Sequence, residues 1–126
     1  MGSGERVRIV IFGSRTLVPP HVVRAYVASL PADTVVITGG NLGPHMGGVD
    51  WIACVAALER GLAVEIYPAQ WDSLGKAAGP IRNELMARLC DVGQMFRGPI
   101  RQRSGTDDMF ERLQRLGRPC GTWRAA

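Results

Sequence analysis

Apolar residues fall into short dense runs, separated by longer stretches where they recur every three or four positions. Residues 7–12 (Val-Arg-Ile-Val-Ile-Phe) form the first run. Such a continuous run predicts a strand buried on both faces, as in a parallel sheet. The same pattern predicts strands at 34–38, 62–67 and 91–96, and a short final strand, suited to an edge, at 118–123. Between them the spacing becomes helical. Residues 21–30 place Val22, Val23, Tyr26, Val27 and Leu30 on one face, just after Pro19 and Pro20, which suit a helix start. A second helix, 49–60, carries Ile52, Val55 and Ala56 and stops at Gly61. A third, 81–89, opens at Pro80 with Leu85, Met86 and Leu89 as its apolar side. A fourth, 105–116, carries Met109, Phe110, Leu113 and Leu116 and stops at Gly117. Residues 69–79 read as a polar loop.

Strands alternating with helices predict an α/β fold: a doubly wound sheet of about five mainly parallel strands, helices on both faces and right-handed crossovers. At 126 residues the chain is sized for one domain, placed at 6–124 after a flexible start at 1–5. In such sheets ligands bind past the carboxyl ends of the strands, near the point where strand order reverses. The polar loops that follow the strands should therefore gather at one rim.

The central loop follows the second strand, in Thr38-Gly39-Gly40-Asn41-Leu42-Gly43-Pro44-His45-Met46-Gly47-Gly48-Val49-Asp50. A strand, a glycine loop and a helix in that order suit a phosphate. Glycine lets the backbone approach an anion, and the free amides and positive dipole end of a helix favour negative charge. Asp50 lies too early in its helix to join the core; it either caps that helix or accepts a ribose hydroxyl. His45 is a ligand contact or a surface residue. Gly13-Ser14-Arg15 follows the first strand, with a tight turn, a hydroxyl donor and an arginine able to fork onto phosphate.

Two further helix starts add candidates. Arg82 and Asn83 fall in the first turn of the third predicted helix. An arginine there opposes the helix dipole and points to an anionic partner, or to an ion pair with Asp50 or Asp72. Asn83 offers both a donor and an acceptor to a base or ribose. Ser104, Gly105 and Thr106 open the fourth helix as a second cradle for phosphate, with Arg97, Arg101 and Arg103 just before it. Asp107 and Asp108 follow as first-turn acids.

Composition narrows the partners. The net charge of +4 suits a phosphate-bearing ligand and is equally explained by solubility. Cys54, Cys90 and Cys120 form no Cys-x-x-Cys pair, which points to a reducing compartment and to packing roles. No apolar run is long enough to span a membrane and no leader pattern appears, so the expectation is a soluble cytoplasmic protein without a membrane partner. The chain has no Gly-x-Ser-x-Gly, no Gly-x-x-x-x-Gly-Lys, no Gly-x-Gly-x-x-Gly after the first strand and no paired-histidine site. Neither a hydride-transfer enzyme nor a P-loop NTPase is supported, and neither a metal nor a cofactor is expected.

Four segments together carry a resemblance: Phe12-Gly13-Ser14-Arg15; Thr38-Gly39-Gly40 leading to Gly47-Gly48-Val49-Asp50; Tyr67-Pro68-Ala69-Gln70-Trp71 running on to Gly75-Lys76-Ala77-Ala78-Gly79-Pro80-Ile81-Arg82-Asn83; and Gly105-Thr106-Asp107-Asp108-Met109. They resemble the SLOG superfamily of Rossmann-like domains, which includes the LOG phosphoribohydrolases and the DprA/Smf DNA-processing proteins, and most of all its small YspA-like branch. The resemblance implies a nucleotide-derived ligand and a homodimer. Met109 stands where LOG enzymes carry a glutamate, so a catalytic carboxylate is either absent or supplied by Asp50, Asp107 or Asp108. Three functions follow. The leading one is nucleotide binding by a sensor, carrier or processing domain. The second is N-glycoside hydrolysis of nucleoside monophosphates. The last is single-stranded nucleic-acid binding, with Trp71 stacking on bases and the basic loop at 97–103 contacting the backbone.

Overall fold

The structure, a computed structural model, describes residues 6–39 and 48–125. Five strands, β1 (Arg8–Gly13), β2 (Val35–Gly39), β3 (Ala63–Tyr67), β4 (Val92–Arg97) and β5 (Cys120–Arg124), form one parallel sheet in the order β3-β2-β1-β4-β5. Helices α1 (Pro20–Ala28) and α2 (Gly48–Glu59) precede β2 and β3. A one-turn helix α3 (Trp71–Leu74), a 3-10 turn (Gly75–Ala77) and α4 (Ala78–Leu89) connect β3 to β4, and α5 (Gly105–Arg115) leads into β5.

The strand alternation sorts the core into two layers. Ile9, Ile11, Val36 and Phe96 pack with Val23, Val27, Val49, Ala53 and Ala57 of α1 and α2. Val10, Phe12, Ile37 and Met95 face the other way, onto Met86, Ala87, Met109 and Leu113 of α4 and α5. Helices therefore cover both faces, as the dense strand runs require. This is a doubly wound, Rossmann-like architecture. The order reverses at β1, where the chain crosses from β3 to β4, so the crevice between the β1 and β4 ends is the switch point.

Three expectations need correction. Residues 69–79 are not a loop: α3 and the 3-10 turn occupy most of them, and α4 begins at Ala78. Pro80 is tolerated as the third residue of α4 because the first-turn amides have no partner within the helix. Arg82 and Asn83 thus lie in the second turn, and the argument from the helix dipole no longer applies to them. The apolar side of α4 also differs. Gly79, Asn83, Met86 and Ala87 are buried, whereas Ile81, Leu85 and Leu89 are exposed. Small residues let α4 seat closely on the sheet and α5, which leaves the large aliphatics outside. Finally, Asp50 belongs to the interior, at 8% exposure.

Cys54 and Cys90 are buried and all three cysteines are free thiols. Among the described residues, no helix is long and apolar enough to cross a membrane, and no cluster of acids, histidines and cysteines could hold a metal ion. The expected start at 1–5 and the residues 40–47 of the central loop, with Gly40, His45 and Gly47, lie outside the described residues.

Gly13 is where β1, β4 and α2 press together. A β-carbon there would sit well inside contact with the Phe96 carbonyl oxygen and 2.8 Å from Val49 Cγ2. Gly105 faces open space. In urea denaturation, Gly13→Ala should lose about 2 kcal/mol or more through overpacking, while Gly105→Ala should change stability by less than about 0.5 kcal/mol. Equal effects of the two substitutions would contradict this packing.

Candidate functional site

Just past β1 the chain is tied down through Ser14. Its N–H donates to the Phe96 carbonyl (3.0 Å), its carbonyl accepts from Val49 N–H (3.2 Å) and its Oγ accepts from Gly98 N–H (2.8 Å). The β1 exit, the α2 start and the β4 exit are thereby joined at one buried residue. Gly48 completes the arrangement. It has φ +41°, and a β-carbon on it would lie 2.5 Å from the Ser14 and Arg15 carbonyl oxygens. The sequence pointed to Gly13 and Gly48 as phosphate contacts; in the structure their missing side chains let backbone segments meet.

Above this junction, at the strand carboxyl ends, opens a cleft of about 510 Å³, within the range of small-ligand pockets. It brings together Gly13, Ser14, Arg15, Asp50, Arg82, Asn83, Ser104, Gly105, Thr106 and Asp108. These come from four separate stretches of sequence. Gly39, Gly48 and Asp107 are not part of the lining. Sequence reasoning did not name Thr16, Gly79, Pro80 or Ile100 as site residues; it placed Met86 in the core, and Met109 both there and where LOG enzymes carry a glutamate. Trp71, expected as a nucleic-acid contact, and Arg103, expected beside a phosphate cradle or on a nucleic-acid backbone, also line it. The cue for Trp71 was a large aromatic in a polar stretch directly after a strand.

On the cleft wall Asp50 and Arg82 both approach Gly39. A β-carbon on Gly39 would stand 2.5 Å from Arg82 Nη1 and 2.7 Å from Asp50 Oδ2, so only glycine leaves room for both. Burial pushes the Asp50 carboxyl up to about 7, against the opposing pull of the Arg82 and Arg15 charges. Burial likewise lowers the Arg82 guanidinium; Asp50 pulls it back up and Arg15 adds repulsion. Arg82 also donates to Asn83 Oδ1 (3.0 Å) and to the Tyr67 carbonyl (3.4 Å).

Other candidates are occupied by the protein itself. Asn83 Nδ2 donates to Asp108 Oδ2 (3.0 Å) and to the Gly105 carbonyl (3.4 Å), so the amide joins α4 to α5. Burial tends to raise Asp108, but hydrogen bonds from Arg112 (2.8 Å) and Asn83 prevail and hold it below its ordinary value. Asp107 accepts from Arg97 (2.9 and 3.1 Å) and from the Ser104 N–H (2.8 Å), capping α5. The Arg97 bond, with help from Ser104, takes its carboxyl down to about 2. Arg97 also binds the carbonyls of Gly98, Ile100 and Gln102, so it organises the loop expected to offer its charge outward. Arg103 pairs with Glu111 at 2.8 Å and approaches Asp108 at 3.7 Å. Among the described residues, what remains at the cleft is Arg15 and Arg82 against the Asp50 carboxyl, which burial keeps from ionising readily. The local balance favours an anion.

The Asp50 carboxyl should register in stability. In an unfolded chain it titrates near its ordinary 3.8, in the fold near about 7. Between those values the native state keeps a proton that the unfolded state has lost. The group's contribution to stability is full below the lower value, falls as pH rises through the window and is level above it. Asp50→Asn is neutral throughout and lacks that decline. Its stability relative to the wild type should rise steadily from about pH 4 to about pH 7 in denaturant titrations and then hold constant. A difference independent of pH across that range would mean that Asp50 titrates as an ordinary carboxylate. No protein-family model matches the chain, and no curated protein matches it.

Proposed function

We propose that the cleft at the strand carboxyl ends binds a nucleotide-derived anion. The observation that carries this reading is the pair of guanidiniums, Arg15 and Arg82, set against the buried carboxyl of Asp50. Two like charges are held near one another where burial already disfavours one of them. An anion entering the cleft relieves that repulsion and gains charge-assisted hydrogen bonds. The position at the switch point and the volume suit a ligand of nucleotide size. The four segments that resemble SLOG domains supply much of the cleft wall, and that likeness also favours a nucleotide.

Isothermal calorimetry against mononucleotides, cyclic nucleotides and ADP-ribose tests the reading. Arg82→Ala should weaken binding by about 10- to 100-fold, the range for losing a charge-assisted hydrogen bond. Absence of heat across the panel at millimolar ligand would remove the proposal.

One observation favours a second reading, N-glycoside hydrolysis of a nucleoside monophosphate. A carboxyl titrating near neutrality is matched to general acid–base work, and Asp50 is such a group on the cleft wall. In this reading protonated Asp50 gives its proton to the leaving base. The Asp50 carboxylate so formed takes a proton from the attacking water, Asp108, kept ionised by Arg112 and Asn83, offsets the charge of the cationic sugar, and the products are free base and ribose 5-phosphate. Chromatography of each monophosphate after incubation should then reveal free base, and Asp50→Asn should cut its release by at least about 100-fold. Release that persists in the Asp50→Asn, Asp108→Asn double variant would exclude this chemistry.

A further inference from the structure

Trp71 opens α3, a helix with no buried residue, and is itself 49% exposed. It lines the cleft beside Gly79, Pro80 and Arg82. Its seat is Gly79: a β-carbon there would stand 3.1 Å from Cη2 of the indole and 3.9 Å from both Cζ2 and Cζ3. A ring lying flat over the glycine would hold those three carbons at nearly equal distances. One short distance flanked by two equal longer ones means that the ring meets α4 end-on, tip first. That approach sets the tip of the indole against α4 and leaves both of its faces clear of Gly79. Among the described residues the aromatic pairs are Tyr26 with Phe96 and Phe96 with Trp123, and Trp71 belongs to neither.

We infer that Trp71 is a stacking platform for the base of the bound ligand, so that the cleft selects nucleotides over sugar phosphates that lack a base. The inference rests on the nucleotide-binding reading and adds to it the part of the ligand that is recognised. A planar base gains most from a ring already held in place, because little side-chain freedom is then lost on binding. Every base offers a π-face, so a platform of this kind separates base from no base far more sharply than one base from another. Arg82, on the same wall, supplies the positive charge that a phosphate needs and that stacking alone does not provide. Gly79 leaves the space for this approach: a methyl group there would stand 3.1 Å from Cη2 and crowd the ring tip.

The experiment compares adenosine 5′-monophosphate, uridine 5′-monophosphate and ribose 5-phosphate by calorimetry on the full chain and on Trp71→Ala and Trp71→Phe. Both nucleotides should bind more tightly than ribose 5-phosphate. Trp71→Ala should weaken nucleotide binding by about 5- to 150-fold and erase that advantage. Trp71→Phe, which keeps an aromatic face, should retain most of it, and matched thermal melts of the three proteins check folding. Nucleotides that bind no better than ribose 5-phosphate would overturn the platform while leaving anion binding intact. So would a Trp71→Ala effect equal for all three ligands, or no effect. If none of the three binds, the nucleotide reading itself falls and takes this inference with it.

Discussion

The site depends on one constraint: three backbone segments must meet around Ser14 without β-carbons in the way. Gly13 permits the β1 exit to lie against the Phe96 carbonyl, and Gly48 permits α2 to start against the Ser14 and Arg15 backbone. The hydrogen bonds of Ser14 to Phe96, Val49 and Gly98 then hold the junction. Because α2 starts there, its third residue, Asp50, is carried into the interior at the cleft wall rather than left at the helix surface. Buried hydrogen bonds of this kind are costly to break, since each group would remain without water.

The second consequence is electrostatic. A buried carboxyl beside two guanidiniums would ordinarily be held ionised, yet here burial outweighs both charges. Arg82 shows the same competition from the other side. The acids on α5 have different fates because their partners differ. Asp107 is fixed by Arg97 and by the α5 start, and Asp108 by Arg112 and Asn83. Asp107 and Asp108 are therefore held ionised by their partners, and of the three only Asp50 titrates near neutrality.

Much of the architecture was legible in the chain. The dense runs at 7–12, 34–38, 62–67 and 91–96 each correspond to a strand within a residue or two, and α1 and α5 follow their apolar spacing, whereas α2 buries Val49, Ala53, Cys54 and Ala57 and leaves Ile52, Val55 and Ala56 half-buried. Periodicity reports burial directly, which is why these elements could be read. It failed for α4, where Leu85 and Leu89 face outward while Gly79, Asn83 and Ala87 face in. There the packing surface is built from small residues, and close approach matters more than hydrophobicity. It failed again at 69–79, whose polar composition hid a helical turn carrying Trp71.

By itself the sequence determined the α/β class, the parallel strands and the set of loops that had to reach one rim, because these follow from local pattern and from the geometry of strand–helix–strand crossovers. Only the tertiary structure decided what each polar residue does there. Arg97 turned to its own loop, Asn83 to Asp108, and Asp50 to a buried place beside Arg82. Those outcomes depend on which groups lie within hydrogen-bond reach after the chain folds and on how much water each one loses, and neither quantity is written in the spacing of residues along the chain.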